Sequence, residues 1–176
     1  MSTSTSLPGT LETWEAAGDV QIVAMDDVQF LDFQQMPAIG TGQLGSCSVV
    51  VIASAQGAIL AHIPPQSRPT NNPTDGDTYV RSMMSRISTL YREKQQRYFL
   101  SADTVVVCAV FRGEVALPSQ LDIMMLSLHG LGLTPKIISY EVPGNAALQG
   151  KGTVIVTKKR HQIKPKIFVE EGLVNI

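Results

Sequence analysis

Two apolar segments separated by a short turn signal constrain the fold of this chain most strongly. Ser48-Val-Val-Val-Ile-Ala-Ser54 is apolar and rich in β-branched residues, and Ala58-Ile-Leu-Ala-His-Ile63 is its expected partner. Ala55-Gln-Gly57 between them carries the turn signal. The pattern predicts a buried β-hairpin.

The length of the hairpin loop decides which side chains share a face. An even loop centred on Ala55 and Gln56 places Val49 opposite His62 and Cys47 opposite Pro64. Cys47 and His62 are then diagonal neighbours on one face of the sheet, within reach of each other through their side chains. An odd loop places the two residues on opposite faces, so their proximity is conditional at this point.

Further elements follow from hydrophobic periodicity and turn residues. Helical spacing of apolar residues predicts a helix over about 78–97, with Asp77 or Thr78 as the N-cap. Ser119 is expected to cap a shorter helix, and this helix lies between two strands in a βαβ order. The predicted strands are 20–25, 48–54, 58–63, 104–111, 136–142 and 152–157, with an edge strand at 167–169.

These elements predict one α+β domain over residues 19–176. Residues 1–18 are rich in Ser, Thr and Gly and are expected to form a flexible leader. Four prolines occur within residues 64–77, which therefore form a loop, and this loop starts beside His62 and could act as a lid. The hydrophobic content of 44 % is enough to fill a core without disulfides.

Charge and composition narrow the classes of partner and compartment. Fourteen basic and fifteen acidic residues give a formal charge of -1, so no global field attracts nucleic acid or anionic lipid. The chain lacks a signal-peptide pattern and any apolar run of about 18 residues, which predicts a cytoplasmic protein that does not enter a membrane. Cys47 and Cys108 are expected to remain thiols there. The scattered histidines offer no metal-ligand spacing, and we expect neither a metal nor a cofactor.

A glycine-rich segment directly precedes the first strand of the hairpin. Gly40, Gly42 and Gly45 formally match GxGxxG, but a dinucleotide site needs this motif to open a helix. Here the glycines lead into a strand, so a nucleotide site is disfavoured. The segment instead brings backbone N–H groups close to Cys47, where those of Gly45 and Ser46, together with Gln43, are candidates for binding substrate or an oxyanion.

Cys47 and His62 are the residue types of a thiol nucleophile and its base. An imidazole can take the thiol proton, and the sulfur can then attack a carbonyl carbon. The competing interpretation is that Cys47 is a small buried apolar residue and His62 a hydrogen-bonded strand residue. Their positions, at a strand start beside glycines and at a strand end before a loop, favour a surface cleft.

Two other features receive non-catalytic interpretations. Cys108 lies in the middle of an apolar strand and is expected to be an inert core residue. The basic run from Lys158 to Lys166 could attract an acidic partner, although lysines and a proline that protect an edge strand explain it as well.

Two sequence motifs resemble the signature strands of the CheD-type chemoreceptor glutamine deamidases. They are Leu44-Gly-Ser-Cys-Ser-Val-Val50 and Ile59-Leu-Ala-His-Ile-Pro64, and the match includes Thr41, six residues before the cysteine. The resemblance covers roughly residues 39–160. It implies a layered α/β/β sandwich with mixed sheets and a catalytic group of Cys47 as nucleophile, His62 as base and Thr41 as the residue that orients the base.

Two functions remain open from the sequence. The first is a cysteine-dependent amidohydrolase or deamidase that acts on an amide, either a protein glutamine or a small molecule. The second is a binding module that keeps the CheD-like fold without catalysis. The sequence Ala58-Ile-Leu-Ala61 replaces the glycines that the family tends to carry ahead of the histidine, which favours the binding module.

Overall fold

The structure is a computed structural model, and it describes residues 11–144 and 150–176. Within these ranges the chain forms three helices and eleven strands. In chain order they are α1 (Leu11–Ala16), β1 (Val20–Ile22), β2 (Asp27–Asp32), β3 (Ala38–Thr41), β4 (Ser48–Ala53), β5 (Gly57–Ile63), α2 (Asp75–Tyr98), β6 (Asp103–Phe111), β7 (Glu114–Val115), α3 (Pro118–Gly130), β8 (Lys136–Glu141), β9 (Val154–Thr157), β10 (Lys166–Val169) and β11 (Gly172–Leu173).

The strands divide into two sheets. The helix-packed sheet has the order β2-β5-β4-β6-β7, with β8 parallel to β6. The outer sheet has the order β1-β3-β9-β10-β11 and contains one parallel pair, β1 with β3. Parallel strands need a crossover connection. In the helix-packed sheet, the connection between β6 and β8 carries α3, as the predicted βαβ order requires.

Alternating faces of β4 and β5 separate two cores. Val49, Val51 and Leu60 point toward the outer sheet and pack with its residues. Val50 and Ile59 point the other way and pack under α2 and α3. Both strands are therefore buried on both faces, which explains why they read as continuous apolar runs rather than as an alternation.

The result is an α+β layered sandwich, as the sequence predicts. The helices α2 and α3 form one layer, the helix-packed sheet the next and the outer sheet the third. A small third cluster covers the far side of the outer sheet, where Leu11 and Trp14 of α1 pack against Val20 and Phe168. No helix of the described residues is both long and apolar enough to cross a bilayer.

Both long helices begin earlier than expected. Helix α2 starts after Thr74 rather than at Asp77 or Thr78, so that Asp75 and Asp77 lie in its first turn. Acidic side chains there interact favourably with the positive end of the helix dipole. Helix α3 starts at Pro118, and Ser119 lies inside it instead of capping it. Proline is well suited to a first helical position because its missing N–H has no partner there.

The N-terminal expectation is corrected in part. Residues 11–16 belong to helix α1, whose Leu11 packs against the outer sheet, so the part of the leader from residue 11 onward is structured. Residues 1–10 lie outside the described part of the chain. The sequence does not predict β2, β3, β7 or β11, and β1 ends at Ile22 rather than Met25. The strand expected at the edge over 167–169 corresponds to β10, which lies between β9 and β11 and is not an edge strand.

Candidate functional site

The hairpin has the even loop that places Cys47 and His62 on one face. Ala53 pairs with Ala58, Val49 pairs with His62, and four residues lie between the paired strands. The turn is closed by a hydrogen bond of 2.9 Å from the Ser54 N–H to the Gly57 carbonyl. Cys47 belongs to the core between the two sheets. By the two-residue period of strands, His62 points into the same interlayer space. The conditional register of the sequence analysis is therefore confirmed.

Thr41 reaches His62 from the opposite sheet. Thr41 is the last residue of β3, and its Oγ1 lies 2.7 Å from Nδ1 of His62 on β5. The same hydroxyl donates to the carbonyl of Val23 at 2.7 Å. Because a hydroxyl has a single proton and Val23 takes it, Nδ1 of His62 must donate to Thr41. This contact fixes the tautomer of the imidazole, with its proton on Nδ1.

The other ring nitrogen of His62, Nε2, carries a buried lone pair that accepts no hydrogen bond from the described residues. Buried polar atoms are normally paired, so an orphaned acceptor calls for an explanation. Burial also lowers the pKa of His62 below its ordinary value of 6.5, which keeps the ring neutral at neutral pH. A neutral imidazole with a free Nε2 is suited to act as a base.

Cys47 is held as a neutral thiol. The residue is only 5 % exposed, and desolvation raises its pKa from 9.0 to about 11. Since Nε2 of His62 is unpartnered in the described structure, the thiol is not hydrogen-bonded to it. The resting site is therefore a thiol and a neutral imidazole rather than a thiolate–imidazolium pair. Any attack by the sulfur must be coupled to loss of its proton.

The turn before Cys47 determines which backbone donors face solvent. The Cys47 N–H donates to the Leu44 carbonyl at 2.7 Å, so it is not free to bind a ligand. Gln43 and Gly45 have φ values of 54° and 59°, and Gly45 and Ser46 are exposed. Neither the Gly45 nor the Ser46 N–H donates a hydrogen bond within the described ranges. Among the described residues, both groups are therefore unpartnered donors.

Tyr140 is a site residue that sequence reasoning missed. It lies on β8, is buried, and its hydroxyl donates to the Cys47 carbonyl at 2.5 Å. The Gly45 carbonyl lies 3.5 Å from the same hydroxyl. Burial raises the pKa of Tyr140, so the hydroxyl keeps its proton and remains a donor. This contact holds the backbone on both sides of Ser46. The one signal in the sequence is a tyrosine within a predicted strand.

A small cavity of about 80 Å³ opens beside this turn. Gln43, Gly45 and Tyr140 line it together with Glu170. One carboxylate oxygen of Glu170 accepts the Gly152 N–H at 2.9 Å, and the other lies 3.8 Å from the Lys151 ammonium. The described lining of the cavity includes neither Cys47 nor His62, so within the described residues the cavity adjoins the turn before Cys47 and not the two side chains themselves.

The proline-rich loop does not cover this cavity. Residues 64–74 contribute none of its described lining. The loop is instead tied to the helix layer, since the Gln120 side-chain amide of α3 donates to the Pro65 carbonyl at 2.8 Å. A lid for the cavity beside Gly45 is therefore not provided by this loop in the described structure.

Gly40 in the glycine-rich segment allows close packing of α1 on the outer sheet. Gly40 lies within β3, where a Cβ atom would come within 2.7 Å of the Leu11 side chain and 3.0 Å of the Val154 carbonyl. Its lack of a side chain thus lets α1 pack on the outer sheet. The segment leads into β4 and not into a helix, which agrees with the sequence argument against a dinucleotide site. The described ranges contain no group of three or more His, Cys, Asp or Glu residues that could hold a metal ion.

We expect native Cys47 to react with iodoacetamide more slowly at neutral pH than it does in the unfolded chain. Its rate should keep rising beyond pH 9 toward pH 11, because the thiolate is the reactive form and burial raises the pKa to about 11. Mass spectrometry of the modified peptide across this pH range measures the rate. A rate that levels off below pH 9 would contradict the neutral resting thiol.

Comparisons of the sequence with known proteins do not assign this chain to a family. No family model matches the chain, and a search of curated proteins gives no significant match. The resemblance to the CheD-type deamidases therefore depends on the two motifs and Thr41 alone.

Proposed function

We propose that this chain is a cysteine-dependent amidohydrolase of the deamidase type, a divergent relative of the CheD-type enzymes. The observation that carries the proposal is the contact between Thr41 and His62, which leaves an unpartnered lone pair on Nε2. Cys47, the proposed nucleophile, lies in the core between the two sheets, on the face of the hairpin to which His62 points. Both cysteines are free thiols, as a cytoplasmic enzyme of this kind requires.

In the proposed reaction, His62 accepts a proton and then returns it in each of two stages, formation and hydrolysis of a thioester on Cys47. The Cys47 sulfur attacks the amide carbon while its proton passes to Nε2 of His62, and the carbonyl oxygen becomes an oxyanion facing the free N–H groups of Gly45 and Ser46. Collapse of this intermediate breaks the C–N bond, and the leaving nitrogen takes the proton from His62 to leave as ammonia. Water then attacks the thioester with His62 again as base, which yields the carboxylic acid and restores the thiol.

The cavity lined by Glu170 suits a primary carboxamide. A carboxylate accepts hydrogen bonds from an amide NH₂ group, whereas an ester offers it no donor. After hydrolysis the product is itself a carboxylate, which offers Glu170 no hydrogen-bond donor. The same side chain thus favours entry of the amide and departure of the acid, for a protein glutamine or a small amide alike.

The alternative is a non-catalytic binding module with the same fold. The raised pKa and low exposure of Cys47 favour this alternative, since an activated thiol usually has a lowered pKa. The two functions differ in one product. Incubating the wild-type protein with a panel of glutamine peptides and small primary amides should release ammonia, and rapid quenching followed by mass spectrometry should reveal an acyl group on Cys47. Release of no ammonia from any amide would favour the binding module.

The rate of hydrolysis should fall only at acidic pH. The neutral imidazole is the active form, so kcat/KM should fall as pH drops through the pKa of His62, which burial places below 6.5. Because Cys47 remains protonated until about pH 11, the rate should stay level from neutral pH to pH 9. Ammonia release measured across this range tests both limbs. A bell-shaped profile with a fall before pH 9 would indicate a preformed ion pair instead.

A further inference from the structure

A second cavity lies at the opposite end of the hairpin from Cys47. It encloses about 510 Å³, within the range of small-molecule sites. Its lining includes Ala55 and Gln56 of the hairpin turn. Strand β4 has six residues between Cys47 and this turn, so the two cavities are about 20 Å apart at roughly 3.3 Å per residue. The second cavity is therefore separate from the proposed catalytic site.

Two layers of the fold supply cations to this cavity. Arg97 comes from the last turn of α2, while Lys158 and Arg160 follow β9 of the outer sheet. None of the three has a carboxylate within ion-pair distance in the described part of the chain. The Lys158 backbone is anchored by its N–H, which donates to the Pro37 carbonyl at 2.8 Å. Arg97 lies over the Tyr98 ring at 5.1 Å, and the Lys158 ammonium donates to the Lys159 carbonyl at 3.4 Å. Three cations without a carboxylate partner in the described residues thus line one concave surface.

The acidic residue of the cavity is already satisfied. Asp32 accepts hydrogen bonds from the Tyr98 hydroxyl at 2.9 Å and from the Gln34 N–H at 2.8 Å. Gln56 directs its side-chain oxygen toward the Ser54 hydroxyl at 3.3 Å, which leaves its NH₂ group as a donor. With three cations and one carboxylate, the lining has a formal charge of +2, although the whole chain has a charge of -1.

We propose that this cavity is a binding site for a small polyanion, such as a phosphate ester or a polycarboxylate. Arginine binds phosphate and carboxylate oxygens through its planar fork, and lysine adds a point charge. The concave shape favours a small ligand over an acidic peptide, which would need an extended surface. Lys158 and Arg160 belong to the basic run after β9, and this site would give both residues a role in binding the ligand.

Calorimetric titration of the full chain tests the site. Inorganic pyrophosphate and citrate are the two polyanion probes, and acetate at matched ionic strength is the single-charge reference. We expect at least one polyanion to bind at least tenfold more tightly than acetate, and the tighter of the two identifies the preferred head group. Pyrophosphate and citrate that bind no better than acetate would overturn the proposal.

Matched charge variants separate a site from a diffuse basic surface. Lys158→Ala/Arg160→Ala should weaken polyanion binding at least tenfold, because both removed side chains line the cavity. Lys159→Ala/Lys164→Ala removes the same charge from exposed neighbours outside the lining and should change binding less than twofold. Arg97→Gln repeats the test from helix α2. Equal losses in the two double variants would overturn the site, and unchanged melting temperatures establish that the variants are folded.

Discussion

Cys47→Ala should abolish amide hydrolysis, with a fall in kcat on the order of 10⁴-fold or more. Without the sulfur, no acyl group can form on the enzyme, and His62 has no nucleophile whose proton it can accept. The remaining N–H groups of Gly45 and Ser46 can still hold the substrate oxygen, so substrate binding should change little. Ammonia release under saturating substrate measures kcat, and titration of the variant with a non-hydrolysed amide measures binding.

Cys108 provides the matched control for this prediction. It is also a buried thiol, only 3 % exposed, and burial raises its pKa as well. Its neighbours on β6, Val107 and Ala109, pack into the core that contains Cys47, so Cys108 points to the opposite face of the sheet. Cys108→Ala should therefore keep kcat within a few-fold of wild type. Full hydrolysis by Cys47→Ala, or an equal loss in both variants, would contradict the role of Cys47 as nucleophile.

The local part of the site could be predicted from sequence because one hairpin contains it. The loop centred on Ala55 and Gln56 fixes the register, and the two-residue period of strands then decides that Cys47 and His62 share a face. A slip of one residue would exchange the two buried faces of β4 and place Cys47 and His62 on opposite faces of the sheet. Strong burial of both faces makes such a slip costly.

The long-range part of the site lies beyond sequence periodicity. Thr41 and His62 are 21 positions apart and belong to different sheets, so no spacing rule brings them together. Thr41 was identified through the family resemblance alone. Tyr140 contacts Cys47 across 93 positions, through the parallel pairing of β8 with β6. Such a contact depends on which strands become neighbours, which local patterns do not determine.

Sequence periodicity does not predict β2, because its apolar side chains are divided between the two cores on either side of the sheet. Val28 and Phe30 face the helices, whereas Leu31 faces the outer sheet, and acidic residues occupy both ends of the strand. Most of the strand is only half-buried, as expected at the edge of a sheet. Its sequence therefore resembles a polar connection, although its pairing with β5 covers the strand that contains His62.

The tautomer of His62 links the fold to the proposed chemistry. Packing of the two sheets brings the Thr41 hydroxyl to Nδ1, and the donation from that hydroxyl to Val23 leaves Nδ1 as the donor. The proton is thereby kept away from Nε2, the nitrogen that must receive a proton from the thiol. A buried imidazole without this contact could place its proton on either nitrogen. The packing of the two sheets thus determines whether Nε2 of His62 is free to accept a proton.

Thr41→Val should consequently lower kcat about 100-fold, since an imidazole that is no longer held in place loses its orientation toward the thiol. Valine has nearly the shape of threonine, but it leaves Nδ1 of His62 and the Val23 carbonyl without their buried partner, which should destabilise the fold by about 1–3 kcal/mol. Thr41→Ser keeps the hydroxyl and should retain most activity. Urea unfolding and ammonia release measure the two effects. Equal kcat values for the valine and serine variants would show that the hydroxyl does not position His62, because both variants remove part of the side chain but only valine removes the hydrogen bond.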